Sequence, residues 1–295
     1  MGHCLSIADL TVRISSRDPS LHLTVTGAAE RFLVADASSP DVQIETSWET
    51  RSGAAAAEER GVKRFDSGAV WQLYERADDF HFTFSSPRFP SGPYKTATFD
   101  KQFTRGSVEL SRECFEASQP IYPLEYPLDE LLMQCLLGGG RGVELHSCGL
   151  TDVDGSGLLF VGQSGAGKST TGGLWQRTPG VRVLSDDRIV VRQDGARYFM
   201  YGTPWHGDAR LAQAARAPLE RVFVLLQGRA NSITELSPAT AAAELFARSF
   251  PAFYDPAALA FTIRFLGELS EAVPCVMLTF VPDTSAVEFV RRAAA

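Results

Sequence analysis

Over the first 120 residues, apolar and polar side chains alternate with the two-residue period of half-buried strands. Leu21, Leu23 and Val25 stand against polar neighbours, Val42 and Ile44 repeat the pattern, and Phe80, Phe82 and Phe84 repeat it again. Turn signals at Asp18-Pro19-Ser20, Ser39-Pro40-Asp41, Ser52-Gly53 and Ser91-Gly92-Pro93 break these runs at short intervals, as an antiparallel β-rich unit requires. Its aromatic residues, Trp48, Trp71 and Phe99 among them, are expected in the sheet core rather than on a ligand-stacking surface.

The period changes after the proline-spaced connector Tyr122-Pro123-Leu124-Glu125-Tyr126-Pro127. Leu128, Leu131, Leu132, Cys135 and Leu136 fall on one helical stripe, and Gly138-Gly139-Gly140 stops it. Beyond lie apolar runs that read as strands at Val143–Ser147, Gly157–Val161, Val181–Ser185, Ile189–Arg192, Arg221–Leu226 and Cys275–Val281. Helices are expected at Lys168–Arg177, Thr240–Phe250 and Ala257–Glu271 and from Thr284. This interleaving predicts an α/β fold, α+β overall, in two domains: a β-rich domain over residues 1–125 and a mixed domain over 126–295.

Composition narrows the functional classes. In 295 residues, 44% are hydrophobic and 21% charged, values of a soluble globular protein, and 28 basic against 35 acidic residues leave a net charge of −7. That balance argues against a nucleic-acid or membrane partner. Five scattered cysteines without a CxxC pair suggest neither a disulfide framework nor a zinc knuckle. The opening MGHCLSIADLTVRIS has no signal-peptide pattern, and a cytoplasmic protein is expected. Only four of the 28 basic residues are lysines, so each retained lysine is worth locating, and Lys168 is the sole one in the second half.

Lys168 belongs to Gly162-Gln163-Ser164-Gly165-Ala166-Gly167-Lys168-Ser169, which fits G-x-x-x-x-G-K-[ST] after an apolar strand and at the start of a helix. At this chain's residue frequencies the pattern would arise by chance roughly 0.004 times, so a bare glycine turn is a poor explanation. In such a loop backbone N–H groups converge on phosphate oxygens, the lysine reaches the outer phosphates and the Ser169 hydroxyl is placed to ligate Mg²⁺; Thr170 completes the segment. Asp186-Asp187 follows Lys168 by only 18 residues, at the end of the next strand, where one carboxylate can hold the metal and the other can take a proton from an attacking hydroxyl. The Leu-Ser-Gly-Gly-Gln signature of transporter-type ATPases, which share this loop text, is absent.

His146, the Gly162–Ser169 loop and Leu184-Ser185-Asp186-Asp187-Arg188, in that order, resemble the catalytic domain of HPr kinase/phosphorylase, whose fold is shared with phosphoenolpyruvate carboxykinase. The likeness covers roughly residues 143–192. The segment Tyr201-Gly202-Thr203-Pro204-Trp205-His206-Gly207-Asp208 resembles a divergent branch of these proteins, some associated with lasso peptides. The resemblance implies a P-loop kinase using ATP and Mg²⁺. In it Lys168 and Ser169 bind phosphate and metal, Asp186 is the general base, Asp187 assists at metal or base, and His146 lies beside the transferred phosphoryl group. Thr170 replaces the glutamate of HPr kinases, and the long Glu/Arg/Gly signature of that family has no match, so neither HPr as substrate nor a phosphatase activity is implied.

Trp205 is expected to stack on an acceptor, with His206, Asp208 or Arg210 beside it, and Arg188, Arg192 or Arg210 to counter phosphate charge. Residues Ala209–Pro218 read as a mobile or helical lid. Together these residues predict a kinase acting on a hydroxyl of a peptide, a protein or a small metabolite, with the first domain recognising the acceptor or mediating homo-oligomerisation. A non-catalytic nucleotide-binding module and a carboxykinase-like lyase are the alternatives.

Overall fold

The computed structural model describes residues 2–49, 61–89, 92–116 and 119–294; the turn signal at Ser52-Gly53 and Ser91 of the later one lie outside them. The chain divides into two compact units, Met1–Leu132 and Met133–Ala295.

The first unit is one nine-stranded sheet. Its strands are β1 (Gly2–Ile7), β2 (Leu10–Ser16), β3 (Leu33–Val34), β4 (Val42–Trp48), β5 (Val62–Asp66), β6 (Trp71–Glu75), β7 (Asp79–Phe84), β8 (Lys95–Asp100) and β9 (Arg105–Leu110). They are ordered β3-β1-β2-β4-β9-β8-β7-β6-β5. Alternation puts Phe82, Phe84, Phe99 and Trp48 in the core, as expected. Leu21–Val25 does not form a strand: it makes one bridge, Leu23 to Ile121, and Pro123, two residues on, lacks the N–H that would extend the ladder.

All three lysines of this unit make specific contacts. Lys63 pairs with Asp66 and Lys101 with Glu75, both at 2.8 Å. Lys95 is buried in β8, donates to the carbonyls of Pro123 (3.2 Å) and Glu125 (3.3 Å), and lies over the ring of Phe84. It thereby ties the proline connector to the sheet. Burial pushes its ammonium down to about 8, against the opposing pull of Glu125 and Asp129.

Helix α1 (Leu128–Leu136) spans the division between units and ends in the glycine-rich turn Leu137–Arg141. The second unit follows with β10 (Val143–Thr151), β11 (Gly157–Val161), α2 (Lys168–Gln176), β12 (Arg182–Ser185), β13 (Arg188–Asp194), β14 (Arg197–Gly202), β15 (Arg216–Gln227), β16 (Ser232–Glu235), α3 (Pro238–Phe246), α4 (Pro256–Ala272), β17 (Cys275–Phe280) and α5 (Ser285–Ala294). This is the α/β architecture anticipated from the pattern. Helices α3 and α4 start where Ser237 and Asp255 cap the first-turn amides ahead of a proline.

Strand β10 changes partners along its length. Val143–His146 pairs antiparallel with β13, whereas Ser147–Thr151 pairs with β11. β11 runs parallel to β15, and β15 parallel to β17, so three strand ends open on the same side. The run Gly-Leu-Leu-Phe-Val of β11 is buried on both faces: Leu159 and Val161 pack with Leu245 and Phe265 of α3 and α4, and Leu158 and Phe160 with Trp175 of α2 and Val290 of α5. No helix among the described residues is long and apolar enough to cross a membrane. All five cysteines are free.

Candidate active site

The phosphate loop leaves β11 at its carboxyl end and enters α2 as the motif predicts. Gly165 (φ +80°) and Gly167 (φ +105°) take left-handed conformations open to glycine, and a Cβ on Gly167 would come within 2.6 Å of the Phe280 ring. Gln227, at the end of β15, braces the loop by donating to the Gly165 carbonyl at 3.0 Å. No side chain caps α2, so the N–H groups of its first turn are left facing the loop, where they suit an anion. Gln163, Ser164, Gly165 and Thr170 are exposed, and Lys168 is buried beneath them, its Nζ donating to the carbonyls of Gly162 (2.9 Å) and Gln163 (3.1 Å). Burial lowers the Lys168 pKa, Asp187 counteracts this, and the like charges of Arg188 and Arg248 add to it.

The adjacent carboxylates occupy unlike environments. Asp186 is 0% exposed and accepts three backbone N–H groups, from Gly207 (3.1 Å), Ala209 (3.0 Å) and Leu211 (3.1 Å). It therefore pins the loop that follows Gly-Thr-Pro-Trp, with all three contacts to amides rather than to a side chain. Asp187 is partly exposed. It meets His146 Nε2 at 2.9 Å and Arg188 at 2.5 Å, and it lies close enough to Lys168 to be felt electrostatically. Burial acts to raise the Asp187 pKa, but the His146 hydrogen bond and the Arg188, His146 and Lys168 charges outweigh it and hold the carboxyl below its usual range.

Gly207 joins the two halves of the site. A Cβ built there would lie 2.8 Å from Asp186 Oδ2 and 3.3 Å from Ser169 Oγ. The small space between hydroxyl and carboxylate is thus open only because residue 207 lacks a side chain. Two oxygen ligands around such a space suit Mg²⁺, which commonly takes one or two protein oxygens and completes its shell with water and substrate phosphates. No group of three or more His, Cys, Asp or Glu side chains gathers into a metal cage among the described residues.

Several weaker expectations are revised. Trp205 is buried, so it is not placed to stack on an acceptor; its carbonyl instead receives the Ser185 and Thr203 hydroxyls. His206, Asp208 and Arg210 are exposed on the same loop. Ala209–Pro218 is neither helical nor free. Its amides at 209 and 211 bind Asp186, Ala212 bridges Ser185, Gln213 donates to the Leu184 carbonyl at 2.8 Å, and from Arg216 the chain is already β15. Leu226, expected in a buried strand, is 52% exposed. Among the arginines, Arg188 is engaged by Asp187, by Glu144 at 3.5 Å and by the face of Phe250, and Arg192 donates to the Arg141 carbonyl.

Glu144, Phe250 and Arg248 went unnoticed in the sequence. They reach the site because the segment after α3 bridges to β10: Ser249 pairs with Leu145, and the His146 amide donates to the Arg248 carbonyl at 2.7 Å. The one local sign was the i,i+4 spacing of Glu244 and Arg248 at the end of a helix.

No protein-family model matches the chain, and no curated protein sequence matches it. Among solved structures, the Hpr(Ser) kinase/phosphatase from Coxiella burnetii aligns with 51% of this chain and 94% of its own at 12% identity and a TM-score of 0.31. A superposition of that quality carries no argument. The α/β assignment rests on the strands and helices themselves.

Proposed function

We propose that this protein is a phosphotransferase that moves the terminal phosphoryl group of a magnesium-bound nucleoside triphosphate, ATP in the first instance, to a hydroxyl of a peptide, a protein or a small metabolite. The observation that carries this reading is the gathering of Lys168, Ser169, Asp186 and the Asp187–His146 pair around one loop at the ends of parallel strands. The amides of the loop and of the first turn of α2 hold the phosphates. Lys168 exchanges its two carbonyl partners for phosphate oxygens. Ser169 and Asp186 hold the metal, with Asp187 available as a further ligand. When bound, Mg²⁺ neutralises charge on the phosphate oxygens.

The proton of the acceptor hydroxyl passes to the Asp187–His146 pair. Asp187 fixes the ring through Nε2 and balances the charge it gains, and Nδ1 is left for the acceptor. The hydroxyl oxygen forms the new P–O bond, the bond to the bridging oxygen breaks, and a nucleoside diphosphate leaves. Asp186 is thereby cast as metal ligand and loop anchor in place of general base. The β-rich first unit is assigned acceptor recognition or self-association.

Calorimetric titration with magnesium and a non-hydrolysable ATP analogue tests the loop. One nucleotide should bind per chain, and Lys168→Ala should weaken it at least about tenfold, the scale of one charge-assisted contact. Equal affinity in both proteins overturns the reading.

A further inference from the structure

Glu244, in the last turn of α3, and Arg248, just beyond it, line a cavity of about 550 Å³ together with Gln163, Ser164 and Gly165 of the loop and Gln227 of β15. The Arg248 side chain is only 10% exposed. One edge of its guanidinium is held by Glu244, through the carbonyl at 2.7 Å and the carboxylate at 2.5 Å. The Nε–H is buried and has no partner among the described residues. A charged guanidinium this buried, held by Glu244 and bordering the cavity, is placed to take a further oxygen acceptor from it. Arg248 also lies near enough to Lys168 for the two cations to repel. Arg248 and the loop residues Gln163–Gly165 border the cavity, and Lys168 and the uncapped N-terminus of α2 follow on the same loop, an arrangement suited to a polyanion.

We infer that Arg248 is a donor-binding residue whose guanidinium receives a phosphate oxygen of the nucleotide at the loop tip, with Glu244 fixing its orientation. This rests on the nucleotide reading of the Gly162–Ser169 loop and adds a contact from a segment 80 residues further along the chain. Arg188 is already held by Asp187, Glu144 and Phe250, whereas Arg248 is held by Glu244 and lines the cavity beside the loop.

The test is calorimetric titration of the full chain with two magnesium-loaded probes, a non-hydrolysable ATP analogue and inorganic tripolyphosphate. Arg248→Gln should weaken both by the same factor, roughly 10- to 100-fold, as expected for a charge-assisted contact to phosphate. Arg248→Lys keeps the charge but not the fork, so it should weaken both by a smaller factor. Wild-type affinity for tripolyphosphate in Arg248→Gln overturns the inference, including the case in which only the nucleotide is lost, since the guanidinium would then read the nucleoside. If Arg248→Gln does not fold, unchanged tripolyphosphate affinity in Arg248→Lys overturns it. Lys168→Ala, run alongside, separates the two levels. Unchanged binding there defeats the loop reading, and weakened binding there with unaltered Arg248 variants defeats only this one.

Discussion

The carboxylate of Asp186 accepts the Gly207 N–H at 3.1 Å, and two further amides of the same loop complete its coordination. Loop and acidic pair are therefore one unit: the residues proposed to line the phosphoryl site are held by the side chain that borders the space assigned to the metal. Asp186→Asn places an amide against at least one of these N–H donors and leaves it unsatisfied. The expected loss is about 1–3 kcal/mol of stability, read by urea denaturation, together with weaker Mg²⁺ dependence of turnover.

Gly207→Ala is expected to act without unfolding the chain. Its methyl would fall 2.8 Å from Asp186 Oδ2 and 3.3 Å from Ser169 Oγ, filling the space assigned to the metal. Turnover should fall about tenfold or more at limiting Mg²⁺ and recover partly at high Mg²⁺, and because the methyl crowds a carboxylate held by three amides the denaturation midpoint should fall as well. A magnesium titration of initial rates checks this.

What could be read from the chain and what could not divide along range. Gly162–Ser169 and the helix it opens were legible because their chemistry is local: glycines, one lysine and an apolar strand in sequence. Asp186-Asp187 was legible as a pair, but not which member is buried, since that is decided by amides at 207–211. Phe250 and Arg248 are brought to β10 by the bridge between Leu145 and Ser249, so beyond the i,i+4 spacing of Glu244 and Arg248 nothing local pointed to them. In the first unit, alternation located β4 and β7 but misread Leu21–Val25, whose ladder cannot extend past Ile121 because Pro123 has no N–H to donate.

Asp187 and His146 should behave as a pair in turnover. Asp187→Asn and His146→Gln are each expected to reduce kcat by about 10²–10⁴-fold with nucleotide affinity changed far less, and the double variant should lose little more than either single one. Measuring kcat and nucleotide affinity separately for the three proteins checks this.

The depressed pKa of Asp187 also has a stability consequence. A carboxylate whose folded pKa lies below its unfolded value of about 3.9 contributes stability that is complete above that pH and is lost as pH falls through the folded value. The stability difference between wild type and Asp187→Asn should therefore shrink between neutral pH and about pH 3 in matched urea titrations.

Lys95 carries a prediction of the same sign on the alkaline side. Its ammonium titrates near 8 in the folded unit against an ordinary value of 10.5, so between those limits the unfolded chain holds a proton the folded one has released. Stability therefore rises with pH across that window, by up to roughly 3 kcal/mol if the whole shift is realised. Lys95→Met should abolish this rise, which makes the difference between the two proteins at pH 7 and pH 10 the quantity to measure.

The most direct measurement follows the phosphoryl group itself. The full chain is incubated with magnesium and ATP labelled in the γ-phosphate, together with serine-containing peptides and small hydroxylated metabolites. Covalent label should appear on an acceptor in step with ADP release, and Asp187→Asn should abolish it while still binding nucleotide. Tight, Lys168-dependent nucleotide binding with no label on any acceptor would contradict phosphotransfer and leave a nucleotide-binding module in its place.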